Sequence, residues 1–158
     1  MSVGQWIENS PVSYAEVHWG PLTDFSIAGH YFSFFMVVGT SVAVDLRLLG
    51  LGARSRKASE LAEMLFPWTW TFLGVVVLTG FLYFAPSAST FLNSSFFFLK
   101  LLLTALASVW VVLIQRNIRK WDEAAATPPL AKLMAIISLL LWIGTILVGT
   151  HVPVETCV

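Results

Sequence analysis

Three residues of this chain join reactive side chains to positions where such side chains are costly: His30, Lys100 and His151. Imidazole nitrogens ligate metals and haem iron, and an ammonium neutralises a carboxylate. Each of the three lies in or beside a long apolar stretch, where an ionisable group is expensive to bury and is a functional candidate for that reason. Asp45 is a fourth. Its place beside Arg47, Arg54 and Arg56 fits a structural ion pair with Arg47 or Arg54 or, across the molecule, with Arg116. Other chemistries lack their residues. The sequence has no Gly-rich phosphate loop, His-Glu-x-x-His, Gly-x-Ser-x-Gly or Cys-x-x-Cys-His, which argues against a hydrolase or a c-type cytochrome.

The elements that hold these residues follow from composition. Of 158 residues, 57% are hydrophobic and 11% charged, with a mean hydropathy of +0.79. Those values exclude a disordered chain and point to an integral membrane protein. Nine basic residues balance nine acidic ones, so no basic surface recruits nucleic acid. The single cysteine, Cys157, excludes a disulfide scaffold.

A span needs about 20 apolar residues. FSIAGHYFSFFMVVGTSVAV, between Asp24 and Asp45, supplies the first, at about 25–46. The uncharged stretch from Met64 to Leu99 is too long for one helix, and APSASTFLNSS divides it with Pro86, Asn93 and five Ser or Thr residues. Spans at about 67–84 and 96–115 result, with Pro67 in a first helical turn. The fourth, about 130–151, follows the start signal Thr127-Pro128-Pro129, and Pro153 blocks its continuation. Short connections make neighbours antiparallel. The expected fold is therefore an all-α, up-down-up-down transmembrane four-helix bundle forming one domain.

Eight of the nine basic residues fall after span one or between the end of span three and the start of span four: Arg47, Arg54, Arg56, Lys57, Arg116, Arg119, Lys120 and Lys132. Placing that side in the cytoplasm puts both termini in the periplasm of a bacterial inner membrane. Residues 1–24 lack Lys and Arg, hence the basic start of a signal peptide, and are expected to stay as an interfacial leader. Trp6, Trp19, Trp68 and Trp70 sit where aromatic belts form.

Depth brings the candidates together. With span one centred near Val38 and span four near Trp142, His30 and His151 lie about 12 and 13.5 Å outward at 1.5 Å per residue. First and last helices of a bundle can be neighbours, so the pair could ligate a metal or both faces of a non-covalent b-type haem. Lys100 is about 8 Å outward on span three and can extend toward the same layer, where a haem propionate is its natural partner. Phe32, Phe34, Phe35, Phe81, Tyr83 and Phe97 could wall a macrocycle. The plainer alternative makes both histidines wet interfacial residues and Lys100 an anchor. His18 precedes span one and is expected on the surface.

DLRLLGLG (Asp45 to Gly52), FPWTW (Phe66 to Trp70), TGFLYFA (Thr79 to Ala85), NSSFFFLKLLL (Asn93 to Leu103) and the last span IISLLLWIGTILVGT together resemble a family of uncharacterised bacterial four-span membrane proteins. The resemblance implies the fold, and a His early in span one that His30 matches. The family often ends the last span with Gly-Arg, where this sequence has Gly149-Thr150-His151. A looser likeness to the copper-resistance membrane family and to small b-type membrane cytochromes rests on helical histidines in a multi-span bundle.

Three functions follow as expectations. The first is an electron-transfer subunit holding haem b through His30, His151 and Lys100, passing electrons between a periplasmic partner and quinone or another membrane redox protein. The second is a cofactor-free accessory subunit of a larger membrane complex. The third is copper handling by His151, Cys157 and His18.

Overall fold

A computed structural model describes residues 1–52, 55–123 and 127–152. Its helices are α1 (Val3–Glu8), α2 (Pro11–His18), α3 (Gly20–Leu48), α4 (Ala58–Phe84), α5 (Ala88–Leu92), α6 (Ser95–Asp122) and α7 (Pro129–Gly149), with a 3-10 turn, Ala85–Ser87, before α5. No strand occurs among the described residues. Four helical stretches are long and apolar enough to cross a membrane: α3, α4 with its continuation into α5, α6 and α7. The protein is an all-helical, four-span membrane protein.

The helices outrun the apolar stretches that announced them. α4 begins at Ala58, so Pro67 lies inside it rather than in its first turn. Pro67 is exposed and cannot donate to the preceding turn, while its own carbonyl accepts from Thr71 Oγ1 at 2.8 Å. The true start of α4 is capped from a distance. Backbone N–H groups of Ala58 and Ser59 donate to the Asp122 carboxylate at 3.2 and 2.7 Å, an anion placed at the positive end of a helix. α7 begins at Pro129 as its prolines suggest, but Pro128 occupies the cap position and no side chain caps it. Pro153 and Arg54 lie outside the described residues.

Buried positions form stripes. On α6 they are Ala107, Val111, Ile114, Ile118 and Trp121, and on α7 Ala131, Ala135, Ser138, Trp142 and Thr145. Alternating steps of four and three are the seam of a left-handed bundle. α3 packs on α4 and on α7, and α7 on α6, so first and last spans are neighbours; the α4–α6 contact that closes the ring is the sparsest of the four. Trp110 Nε1 donates to the Met134 carbonyl at 2.9 Å and ties α6 to α7.

The leader is two short helices, α1 and α2. They lie on the 3-10 turn and α5, and two acids, Glu8 and Glu16, help to dock them. Ser89 donates to the Glu8 carboxylate through its backbone N–H at 2.7 Å and its hydroxyl at 3.0 Å. Gly4 makes this approach feasible, because a Cβ there would stand 2.6 Å from Ser89 Oγ. Glu16 is buried and accepts a hydrogen bond from Ser26 Oγ on α3.

Candidate functional site

At the end of the bundle beside α5, the sparse contact between α4 and α6 leaves a cavity of about 460 Å³, a size suited to a small-molecule ligand. Eight aromatic side chains contribute to its wall beside aliphatic ones: Tyr31 and Phe34 from α3, Phe81, Tyr83 and Phe84 from α4, Phe91 from α5, and Phe97 and Phe98 from α6. Phe84 and Phe97 stack at 5.4 Å between ring centroids and form part of that wall. Two cationic or basic side chains interrupt it, His30 and Lys100.

His30 is fixed by the close crossing of α3 and α4. Its Nδ1 lies 3.1 Å from the Val76 carbonyl, which can only accept, so Nδ1 carries a hydrogen and, in the neutral ring, Nε2 keeps its lone pair. Gly80, one turn beyond Val76, gives the ring its place. A Cβ at position 80 would come within 2.9 Å of His30 Cε1 and 3.0 Å of Nδ1. In the sequence, the four-residue spacing of Gly80 from Val76 is the signal that points to this role.

Lys100 is half-buried. Its Nζ stands 5.9 Å from the centroid of the Phe34 ring, within range of a cation–π attraction. Its chain runs past Gly149 at the end of α7, where a Cβ would meet Cε at 3.8 Å and Nζ at 3.9 Å. The structure therefore brings His30 and Lys100 to one cavity. Among the aromatic residues expected to line it, Phe34, Phe81, Tyr83 and Phe97 do so, while Phe32 and Phe35 are exposed outside it.

His151 is not part of this wall. It falls in a turn past the end of α7, exposed, with Nδ1 donating to the Leu147 carbonyl at 3.0 Å and the ring stacked on Phe96 at 5.3 Å. His18 is exposed too, its Nδ1 donating to the Tyr14 carbonyl at 2.9 Å and its ring stacked on Tyr14 at 3.9 Å. Cys157 lies outside the described residues. Among the described residues no three His, Cys, Asp or Glu side chains gather as a metal site.

Asp45 is only 1% exposed. Arg47 turns from it and donates Nε–H to the Arg56 carbonyl at 2.7 Å. The ion pair found among the described residues is instead Arg119 with Glu63, at 2.8 Å on the surface. A second cavity, about 470 Å³, lies between α4 and α6 near that pair, with Trp70, Gln115 and Arg116 also on its wall.

Fold and cavity define a class: a four-span helical membrane protein with an aromatic, ligand-sized space at one end. The chain belongs to a family of unknown function (DUF6644), whose model matches residues 3–154. No curated protein and no solved structure matches it.

Proposed function

We propose that the protein is an electron-transfer subunit of a bacterial inner membrane that holds a non-covalent b-type haem in the cavity beside α5, near the outer face. His30 Nε2 would hold the iron and Lys100 would meet a propionate. The observation that carries this reading is the His30 Nδ1–H bond to the Val76 carbonyl. A backbone acceptor on one ring nitrogen fixes the tautomer and ring orientation that a metal-binding imidazole needs on the other. A bound haem supplies one-electron chemistry, and the protein sets its potential through ligation and burial.

The cavity's residues fit such a group. Aromatic side chains match the faces of a macrocycle, and an ammonium next to Phe34 suits a carboxylate brought in from the membrane surface. His151 lies outside the cavity wall and enters as a second ligand only by turning away from Phe96. A single-histidine site needs no such change and is the form we propose. Electrons then pass between a periplasmic donor or acceptor and quinone or a neighbouring membrane redox subunit. The eight basic residues that follow span one and flank the connection between spans three and four support the orientation.

Purified protein titrated with hemin tests the reading. The expected result is a Soret band that shifts on dithionite reduction, disappears in His30→Ala and survives in His151→Ala. Loss in both variants restores the two-histidine site. A protein that stays colourless and co-purifies in fixed ratio with other membrane subunits is a cofactor-free accessory subunit. Tight copper retention abolished by changing Cys157 makes it a copper protein.

A further inference from the structure

The second cavity, about 470 Å³, lies where two borders of the apolar sequence meet. On α4 the last charge before the apolar stretch is Glu63, and on α6 the next charge after Lys100 is Arg116. Both line this cavity, so it sits at the level where hydrocarbon gives way to headgroups.

Its lining is ordered along the helix axes. At the charged end Arg119 bridges to α4, with Nε and Nη2 both donating to Glu63 Oε1 at 3.1 and 2.8 Å. Trp70 is seven residues further along α4, about 10 Å at 1.5 Å per residue. There its Nε1 donates to Gln115 Oε1 at 3.2 Å. Ala62, Phe66 and Ile118, all buried, add an apolar lining.

The two cations are not equally engaged. Arg119 is committed to Glu63, whereas Arg116 has no hydrogen-bond or ion-pair partner among the described residues. Two guanidinium groups against one carboxylate leave a net positive charge on the lining. A guanidinium fork matches the oxygens of a phosphate. An acceptor for a headgroup hydroxyl is present as well, because Pro67, inside α4, has no N–H to return to the Glu63 carbonyl.

The order of the lining selects the ligand. A free inorganic anion uses the guanidinium and leaves the indole and the apolar lining without a role. A phospholipid meets all three, with its phosphate at the charged end, its glycerol backbone beside the indole and an acyl chain continuing into the bilayer.

We infer that this cleft between α4 and α6 is a binding site for one anionic phospholipid, whose phosphate is held by Arg116 and whose glycerol backbone lies beside Trp70. No lining residue is shared with the aromatic cavity, so the site does not depend on what that cavity holds.

Native mass spectrometry of the full chain, with phosphatidylglycerol or phosphatidylcholine added at equal concentration, tests this. The wild type is expected to retain one phosphatidylglycerol in preference to phosphatidylcholine. Arg116→Gln is expected to weaken that retention at least about tenfold, as the loss of a charge-assisted hydrogen bond does. Lys132→Gln removes an exposed charge outside the cleft and is expected to leave retention unchanged. Equal retention of the two lipids, retention untouched by Arg116→Gln, or equal loss in both variants overturns the site. Inorganic phosphate that binds the wild type in phosphatidylcholine nanodiscs as tightly as phosphatidylglycerol does makes the cleft a soluble-anion site and overturns the lipid assignment. Should Arg116→Gln fail to fold, photoactivatable phosphatidylglycerol on the wild type decides. Its cross-links are expected at Pro67 and Trp70, and their absence from residues 59–70 and 115–119 refutes the site.

Discussion

Two contacts in the ring of spans follow opposite plans. The buried stripe of α7 is made of small residues, Ala131, Ala135, Ser138 and Thr145, and where α3 meets α7 Trp142 packs edge-to-face with Phe34 at 6.3 Å. Where α4 faces α6, long side chains reach across a gap. Phe84 stacks on Phe97 at one end, Trp70 Nε1 donates to Gln115 Oε1 at 3.2 Å further along, and Arg119 meets Glu63 near the other end. Space of about 460 and 470 Å³ remains between these bridges. Small residues therefore give a close contact between helices. Spanning side chains give one with room for a ligand.

The comparison predicts where stability resides. Trp142 is 1% exposed, and Trp142→Ala removes the largest fully buried side chain, at a cost of about 3–5 kcal/mol. Thermal unfolding in detergent should show this as the largest loss among single variants. Trp70→Ala, on the open side, should cost clearly less. Equal losses would erase the distinction between the two contacts.

Gly80→Ala sharpens the same contrast from the cavity side. Its new methyl collides with the His30 ring, and relief requires His30 to leave the Val76 carbonyl. Overpacking of this kind costs about 1–3 kcal/mol. Ligand uptake should fall more than stability does, as read by hemin titration beside unfolding. Uptake that survives with His30 displaced would remove that imidazole from the site. Asp122→Ala ranks next. It strips the remote cap from α4 and should cost about 1 kcal/mol, with amide exchange accelerated at Ala58 and Ser59.

These positions also mark what the sequence revealed. Charge-free stretches located all four spans, because hydrocarbon excludes charge whatever the packing. They did not locate helix ends such as Ala58 or Asp122, which lie in charged sequence and are held by each other. Depth along a helix is a count of residues, so placing His30 and Lys100 in one layer succeeded. Direction around the axis is another matter. His151 follows the last helical residue, Gly149, and its ring is aimed by a turn and by Phe96 rather than by helix periodicity. Asp45 was expected to pair with Arg47, Arg54 or, across the bundle, Arg116; Arg54 lies outside the described residues, while helical rotation places Asp45 beside Ser138 and leaves Arg47 facing a loop carbonyl.

The smallest effect belongs to the α3–α4 contact, where Thr69 Oγ1 donates to Thr40 Oγ1 at 2.8 Å in a fully buried setting. A hydrogen bond between spans is worth about 0.6 kcal/mol on average in a folded membrane protein. Here the figure should be no larger, because both hydroxyls also reach carbonyls on their own helices: Thr40 to Met36 at 2.7 Å and Thr69 to Leu65 at 3.2 Å. Replacing either threonine by valine keeps the shape and leaves the other hydroxyl satisfied. A double-mutant cycle of Thr40→Val and Thr69→Val should therefore give a coupling near that average or below it. A coupling several times larger would mean that the two hydroxyls act as a unit, and that the tightly packed side of the bundle is held by hydrogen bonds between helices as much as by the close approach of small residues.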